Sequence, residues 1–289
     1  MTLNLYLRKS KIMHSSSTFL KLKHSRLAVA LTLAVVLFLI QPLSASATDT
    51  TTIVIVGTVH KKTDKFTSQG LYSIMERVKP DLILVELDSS FFTPLMSIKP
   101  EFQHVSLENA AVSDYQKAYN IPIRPYDIEG RNKIYEKNNY FKLQKDLSTA
   151  LNQADHDSLL SGESALALDA IDRFDLIGQS FGSESPEILN SGACDIAMES
   201  KQYYANDGMV KIVTSVPVLK QFTEFSTFKR DFWITRNDVM VTNIVACVKS
   251  IHPKTVLILC GFEHRYYLRN GIKSTIPLGA FILREYWTF

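Results

Sequence analysis

Two apolar runs about two hundred residues apart both lead into glycine, two further residues and histidine. The first is IVIVGTVH, from Ile53 to His60, and the second is VLILCGFEH, from Val256 to His264. Short, continuous runs of branched apolar residues predict buried strands. A strand that ends in Gly-x-x-His places its histidine just past the strand's carboxyl end, where open α/β sheets bind their ligands. Because parallel strands end at the same edge, the pattern predicts that the two histidines face one another.

The residues after the first run extend this prediction. TSQGLYSIMERVK has apolar residues spaced by three and four, which indicates a helix, and DLILVEL is a second apolar strand. Strand, helix and strand in this order form a βαβ unit with a right-handed crossover and parallel strands. IPIRPYD, KTVLILCG and GAFILREY are further candidate strands. The sequence therefore predicts an α/β fold with a central, mostly parallel sheet flanked by helices.

The middle of the chain has a different pattern. From about residue 131 to 214 it has no comparable apolar run and is mostly polar, with helical spacing between Gly, Ser and Pro signals. The segment TEFSTFKRDFWITRNDVMVTNIVACVKSIHP then indicates one long amphipathic helix. We therefore expect residues 48–289 to form a single domain with a helical insertion at about 131–214.

The first 47 residues have the order of a secretory signal. A basic stretch precedes the apolar run from Leu27 to Ile40, and small residues follow at Ala45 and Ala47. We expect cleavage after Ala47 and export to the periplasm or the exterior. An uncleaved membrane anchor is the alternative, although the apolar run is shorter than the roughly 20 residues that span a bilayer. Membrane contact is expected only through this segment, if it is retained.

The charge of the chain does not indicate a nucleic-acid partner. Lys and Arg number 32 against 29 Asp and Glu, but six of the basic residues lie within residues 1–47, which hold no acidic residue. The predicted mature chain therefore has three more acidic than basic side chains. A nucleic-acid-binding domain normally carries a basic excess.

Reactive side chains follow four of the predicted strands. Two imidazoles with a carboxylate, and with coordination positions left for water, suit a catalytic site for Zn, Mn or Fe. Taken singly, each residue also has a structural explanation, because a histidine can serve a turn and a carboxylate can cap the next helix. The residues at the strand ends are His60, Glu86, Asp88, Asp127, Glu263 and His264.

The long predicted helix adds two polar candidates. Arg236 and Asn237 stand at the start of an otherwise apolar face that contains Met240 and Ile244, two residues expected in the core. An arginine there could bind a carboxylate or stabilise an oxyanion. The alternative is a surface salt bridge with Asp231 or Asp238.

Four segments in order, IVIVGTVH, PDLILVELD, TRNDVMVTNI and VLILCGFEH, resemble the TraB/Tiki superfamily. That group includes the TraB/GumN-like, ChaN-like and erythromycin-esterase-like proteins, and the resemblance covers Thr51 to about Ile272. It implies functional roles for His60, Glu86 and His264, with Arg236 and Asn237 as supporting polar groups. Tiki-like members are described as metal-dependent proteases of secreted signals, whereas others are esterase-like, haem-binding or linked to shutting off peptide pheromones.

These observations together predict an exported metal-dependent hydrolase that acts on a peptide or a small ester. His60, Glu86 and His264 would hold a divalent cation, which could be Mn, Zn, Fe or Co. Glu263 or Asp88 would be the general base, and Arg236 with Asn237 would orient the substrate or stabilise the oxyanion. The alternatives are a non-catalytic haem- or peptide-binding protein on the same scaffold, and a member without a ligand. The last is considered because Phe262 and Glu263 are bulky where small residues are common in the superfamily.

Overall fold

The computed structural model describes residues 50–276 and 280–289, so the predicted signal or anchor at residues 1–47 lies outside the described residues. Five strands in the described part form one sheet in the order β3-β2-β4-β1-β5, and every pairing is parallel. The predicted α/β class with a central parallel sheet is therefore confirmed. The strands are β1 (Thr51–Thr58), β2 (Leu82–Val85), β3 (Ile123–Pro125), β4 (Thr255–Gly261) and β5 (Phe281–Arg284).

Helices cover the sheet and fill the long connection between β3 and β4. None of the helices within residues 50–276 and 280–289 is both long and apolar enough to cross a membrane. In chain order they are α1 (Ser68–Val78), α2 (Leu107–Tyr119), α3 (Arg131–Lys137), α4 (Tyr140–His156), α5 (Gly162–Gly182), α6 (Pro186–Leu189), α7 (Gly192–Tyr203), α8 (Met209–Ser215), α9 (Thr223–Ile251) and α10 (Arg265–Thr275).

Both faces of the sheet are buried, which explains why its strands are continuously apolar and do not alternate. On one face, Val54 and Leu257 pack with Leu71 of α1 and Val112 of α2. On the other face, neighbouring strand residues pack with α9 and α10. Met240 and Ile244 of α9 are fully buried there, as the sequence predicted.

The predicted helical segment in the middle of the chain is present as α3 to α8, with no strand between β3 and β4 in the described residues. These helices enclose a separate apolar cluster that includes Leu147, Leu168 and Val213. A π-helical segment, Tyr204–Gly208, joins α7 to α8. The insertion and the start of α9, which contributes Phe225, therefore share a core that is separate from the sheet.

The register of the two central strands sets the position of the site. Gly57 of β1 pairs with Cys260 of β4, and Thr58 pairs with Gly261. The residues after β1 and β4 therefore leave the sheet at the same level and the same edge. A short 3-10 turn, Phe262–His264, follows β4 directly and turns His264 back toward that edge.

Candidate functional site

The ends of the strands meet around Gly261. If Gly261 carried a Cβ atom, it would lie 3.6 Å from a Glu86 carboxylate oxygen, 3.6 Å from the His264 ring and 3.7 Å from the His60 ring. The absence of a side chain at Gly261 leaves open space between these groups. The structure therefore brings together the three residues that the sequence predicted as metal ligands.

Glu86 follows β2 and is held by two donors. The Gly261 amide donates to Oε2 at 2.7 Å, and Arg236 Nη2 donates to Oε1 at 2.5 Å. Burial alone would raise the pKa of Glu86, but His264, Arg236 and the Gly261 amide together lower the pKa to about 2. The carboxylate is therefore ionised at neutral pH.

Arg236 of α9 lies at the centre of the edge. Its Nε and Nη2 donate to the two oxygens of Asp127, at 2.8 and 2.9 Å, and its Nη1 lies 3.1 Å from His264 Nε2. Burial alone would lower the pKa of Arg236. Glu86 and Asp127 raise this pKa by more than burial lowers it, so the guanidinium stays charged. Arg236 therefore points into the site. Asp231 and Asp238, the two residues considered as surface salt-bridge partners of Arg236, have other contacts. Asp231 pairs with Arg230, and Asp238 accepts a hydrogen bond from the Tyr267 hydroxyl.

His264 is buried and oriented by α9. Its Nδ1 lies 2.8 Å from Asn237 Oδ1, and the Trp233 ring stacks on the imidazole with centroids 4.3 Å apart. Because an amide oxygen only accepts, Nδ1 carries the proton and Nε2 presents its lone pair to Arg236. Burial lowers the pKa of His264 to about 4, so the ring is neutral at neutral pH.

His60 is the exposed member of the group, with 74% of its side-chain surface accessible. Its Nδ1 lies 3.3 Å from Glu108 Oε1, and a hydrogen bond to Glu108 raises the pKa of His60. Thr58 Oγ1 donates to the same Glu108 oxygen at 2.6 Å. Glu108 Oε2 is buried and has no hydrogen-bond partner among the described residues.

Glu108 is a site residue that the sequence reasoning did not identify. It lies in the first turn of α2, where the sequence LENAAVSDYQKAYN signals only a helix with an acidic residue near its start. With His60, Glu86 and Gly261, it lines a cavity of about 330 Å³, which we call the strand-edge cavity.

The two predicted general bases lie elsewhere. Asp88 accepts hydrogen bonds from the amide of Ser90, at 2.9 Å, and from its hydroxyl, and so caps the 3-10 turn Ser89–Phe91. Glu263 is bound by Lys201 Nζ at 2.7 Å and by Gln202 Nε2 at 2.8 Å. Neither carboxylate lines the strand-edge cavity. His264 and Arg236 do not line it either, but both contact Glu86, which does.

No family model, curated protein or solved structure matches the chain. The resemblance to the TraB/Tiki superfamily therefore stays a prediction that rests on the four sequence segments. The chemistry of the site has to be argued from its own geometry.

Within the described ranges, no group of three or more His, Cys, Asp or Glu side chains is arranged to hold a metal ion. The residue types nevertheless fit a divalent cation, since imidazole and carboxylate converge at Gly261 and Glu108 adds a buried unpaired oxygen. Glu86 Oε1 and His264 Nε2 lie 3.6 Å apart, and both contact the Arg236 guanidinium. A cation at this edge would therefore compete with Arg236 for these two groups.

Proposed function

We propose that this protein is a metal-dependent hydrolase that cleaves a peptide or a small ester in the strand-edge cavity. The observation that carries the proposal is the convergence of His60, Glu86 and His264 around the bare Cα of Gly261. These residues follow three strands that are far apart in sequence and are adjacent in the sheet.

His60, Glu86 and His264 would hold the divalent cation, which could be Mn, Zn, Fe or Co. When bound, such a cation lowers the pKa of a water molecule and polarises a carbonyl. Each imidazole already has an oxygen behind its Nδ1, from Asn237 for His264 and from Glu108 for His60. An oxygen in that position orients the ring and directs Nε2 toward the cation.

We assign the general base to Glu108, in place of Glu263 or Asp88. Glu108 Oε2 is buried and unpaired among the described residues, and Glu108 is one of the residues that line the cavity. As water adds to the carbonyl carbon, Glu108 takes one of its protons and returns it to the leaving amine or alcohol. The other oxygen of Glu108 stays engaged with Thr58 and His60, which fixes the carboxylate.

Arg236 would stabilise the oxyanion. Two hydrogen bonds to Asp127 fix the guanidinium, while Nη1 and Nη2 point toward His264 and Glu86. If His264 and Glu86 held the cation, the Nη1 and Nη2 donors of Arg236 would be free to stabilise the developing negative charge. Asn237 contributes by fixing the His264 ring.

The test is the metal content of the full chain. Protein stripped with a chelator is loaded separately with Mn, Zn, Fe and Co, and bound metal is measured by mass spectrometry for wild type, His60→Ala, Glu86→Gln and His264→Ala. His156→Ala is the matched control, because 83% of the side-chain surface of His156 is exposed and it lies outside the site.

We expect one metal per chain in wild type and in the control, and loss of that metal in the three site variants. Wild type and the control should then cleave members of a peptide and ester panel, and Glu108→Gln should bind metal without cleaving them. Metal content that does not change in His60→Ala and His264→Ala, or no metal in wild type under any loading condition, contradicts the proposal.

A further inference from the structure

A second cavity, of about 300 Å³, is formed by the helical insertion and α9. We call it the Lys229 cavity. Its wall combines cationic side chains with aromatic rings. It does not include His60 or Glu86, but it shares Arg236 and Trp233 with the surroundings of His264. The residues that matter for its chemistry are Tyr135, Tyr140, Lys201, Lys229, Phe232 and Glu263.

Lys229 has no carboxylate partner in the part of the chain that the structure describes. Its ammonium donates only to the Ala205 carbonyl, at 3.4 Å. Lys201, in contrast, is bound by Glu263 at 2.7 Å and by Asp175 at 3.2 Å. The two acidic groups of the cavity are thus already engaged with one lysine, and the other lysine is left without a counter-ion.

The surroundings make this unpaired ammonium costly. Burial lowers the pKa of Lys229, and the nearby positive charge of Lys201 lowers it further. The carboxylates of Asp175 and Glu263 raise it, but the pKa of Lys229 stays below its ordinary value. A partly buried cation without a counter-ion loses hydration, and the long hydrogen bond to the Ala205 carbonyl replaces only part of it. A bound anion would replace the rest.

The other walls suit a flat, apolar group. The Tyr135 ring lies with its centroid 4.6 Å from that of Tyr140, tilted, and 5.4 Å from that of Phe232, edge-on, so the three rings form one continuous but not flat aromatic surface. Ala205, which accepts from Lys229, belongs to the π-helical segment Tyr204–Gly208. Single π-helical turns occur frequently at functional sites.

We propose that the Lys229 cavity binds a small carboxylate with an aromatic body, with the carboxylate on the Lys229 ammonium and the ring on the Tyr135, Tyr140 and Phe232 surface. The charge-assisted hydrogen bond would form where water is partly excluded, which strengthens it. This binding requires neither a metal nor turnover, so it can be tested separately from the proposed hydrolysis even though Arg236 lines this cavity too.

The test compares phenylacetate with phenylacetamide, which has the same size and no charge, by titration calorimetry on the full chain. We expect one phenylacetate per chain, and binding weaker by about tenfold or more for phenylacetamide and for Lys229→Met with phenylacetate. Lys249→Met is the matched control, since Lys249 is exposed on the same helix, and it should bind phenylacetate as wild type does.

A second measurement uses wild type alone and does not depend on how a variant folds. Trace acetylation with acetic anhydride, read by peptide mass spectrometry, reports the reactivity of each lysine with and without phenylacetate. We expect phenylacetate to protect Lys229 and to leave Lys249 unchanged. Equal affinity for the acid and the amide, unchanged binding by Lys229→Met, or equal acetylation of Lys229 in both conditions overturns the proposal.

Discussion

Arg236 connects three groups that the chain brings from distant positions. Its guanidinium faces Asp127 after β3, Glu86 after β2 and His264 after β4. Both carboxylates are buried, and Glu86 depends on this cation and on the Gly261 amide, whereas Asp127 is also paired with Arg131 at 2.9 Å. Arg236 is therefore a structural residue in the absence of metal, and a competitor of the metal in the proposed enzyme.

Removal of the Arg236 guanidinium should lower the stability of the fold much more than removal of a charge at the surface. We expect Arg236→Met to lower the free energy of unfolding by about 3–5 kcal/mol, because buried Glu86 loses its arginine partner and Asp127 keeps only Arg131 among the described residues. Arg230→Met, on the same helix and paired with the exposed Asp231, should lower it by less than about 1 kcal/mol. Urea denaturation of metal-free protein measures both, and similar losses in the two variants would show that Arg236 does not hold the buried charges.

The effect of Lys229 on the stability of the fold should depend on pH. The pKa of Lys229 is below its ordinary value of 10.5 in the folded state, so at neutral pH the unfolded chain holds this proton more readily than the folded chain does. The folded state of wild type therefore gains stability as the pH rises from the lowered pKa to 10.5. Asp175, Lys201 and Glu263 are the charged groups that face Lys229.

Lys229→Met removes the buried charge and keeps the length of the side chain. We expect this variant to be more stable than wild type at pH 7, and the difference to shrink as the pH approaches 10.5. Thermal unfolding at a series of pH values measures the difference, with Lys249→Met as the control that should follow wild type throughout. A stability difference that stays constant with pH would show that folding does not change the pKa of Lys229.

At the scale of elements, the two strands that carry Gly-x-x-His use their glycines differently. A Cβ on Gly57 of β1 would lie 3.0 Å from Phe262 Cα and 3.2 Å from Arg265 Cδ, which is too close without a shift. A Cβ on Gly261 would meet only ordinary contacts, at 3.6 Å or more, and the backbone there (φ −55°, ψ 134°) accepts any residue. Gly57 thus serves the packing of β1 against the turn after β4, whereas Gly261 keeps space open between the candidate ligands.

The two glycine-to-alanine variants should therefore separate folding from metal binding. We expect Gly57→Ala to lower stability by about 1–3 kcal/mol through overpacking. Gly261→Ala should unfold close to wild type and lose bound metal, because its methyl group would occupy the space between His60, Glu86 and His264. Urea denaturation and metal content measured on both variants provide the check, and a Gly261→Ala protein with full metal content would place the metal elsewhere.

The sequence predicted the strands and helices better than the side-chain contacts between them. Apolar runs identified β1, β2 and β4, and the order of strands and helices implied parallel pairing, which places His60, Glu86 and His264 at one edge. Glu108 was not predicted because its approach to His60 depends on how α2 packs beside β1, and no local pattern encodes that packing. Glu263 is one residue from His264, yet the 3-10 turn directs it to Lys201 and away from the strand-edge cavity.

At the scale of the whole chain, Asn190 joins the helical insertion to the sheet. Its side-chain oxygen accepts from the Gly57 amide at 2.6 Å, and its nitrogen donates to the Gly57 carbonyl at 3.0 Å. Asn190 is buried, and it follows α6, which belongs to the insertion. One amide thus satisfies both backbone groups of a residue in β1, three positions before His60. The position of β1 at the site is therefore coupled to the insertion.

Asn190→Ala should weaken that coupling and remain a folded protein. The buried amide and carbonyl of Gly57 would each lose a partner, at a cost of about 1–3 kcal/mol for each group. We expect a lower midpoint in urea, with faster hydrogen exchange at the Gly57 amide, while Asn152→Ala on the exposed face of α4 should change stability by no more than about 0.5 kcal/mol. If the metal binds through His60, its affinity should also fall in Asn190→Ala, since β1 holds that ligand in place. Exchange at Gly57 as slow as in wild type would mean that other contacts, not Asn190, fix the end of β1.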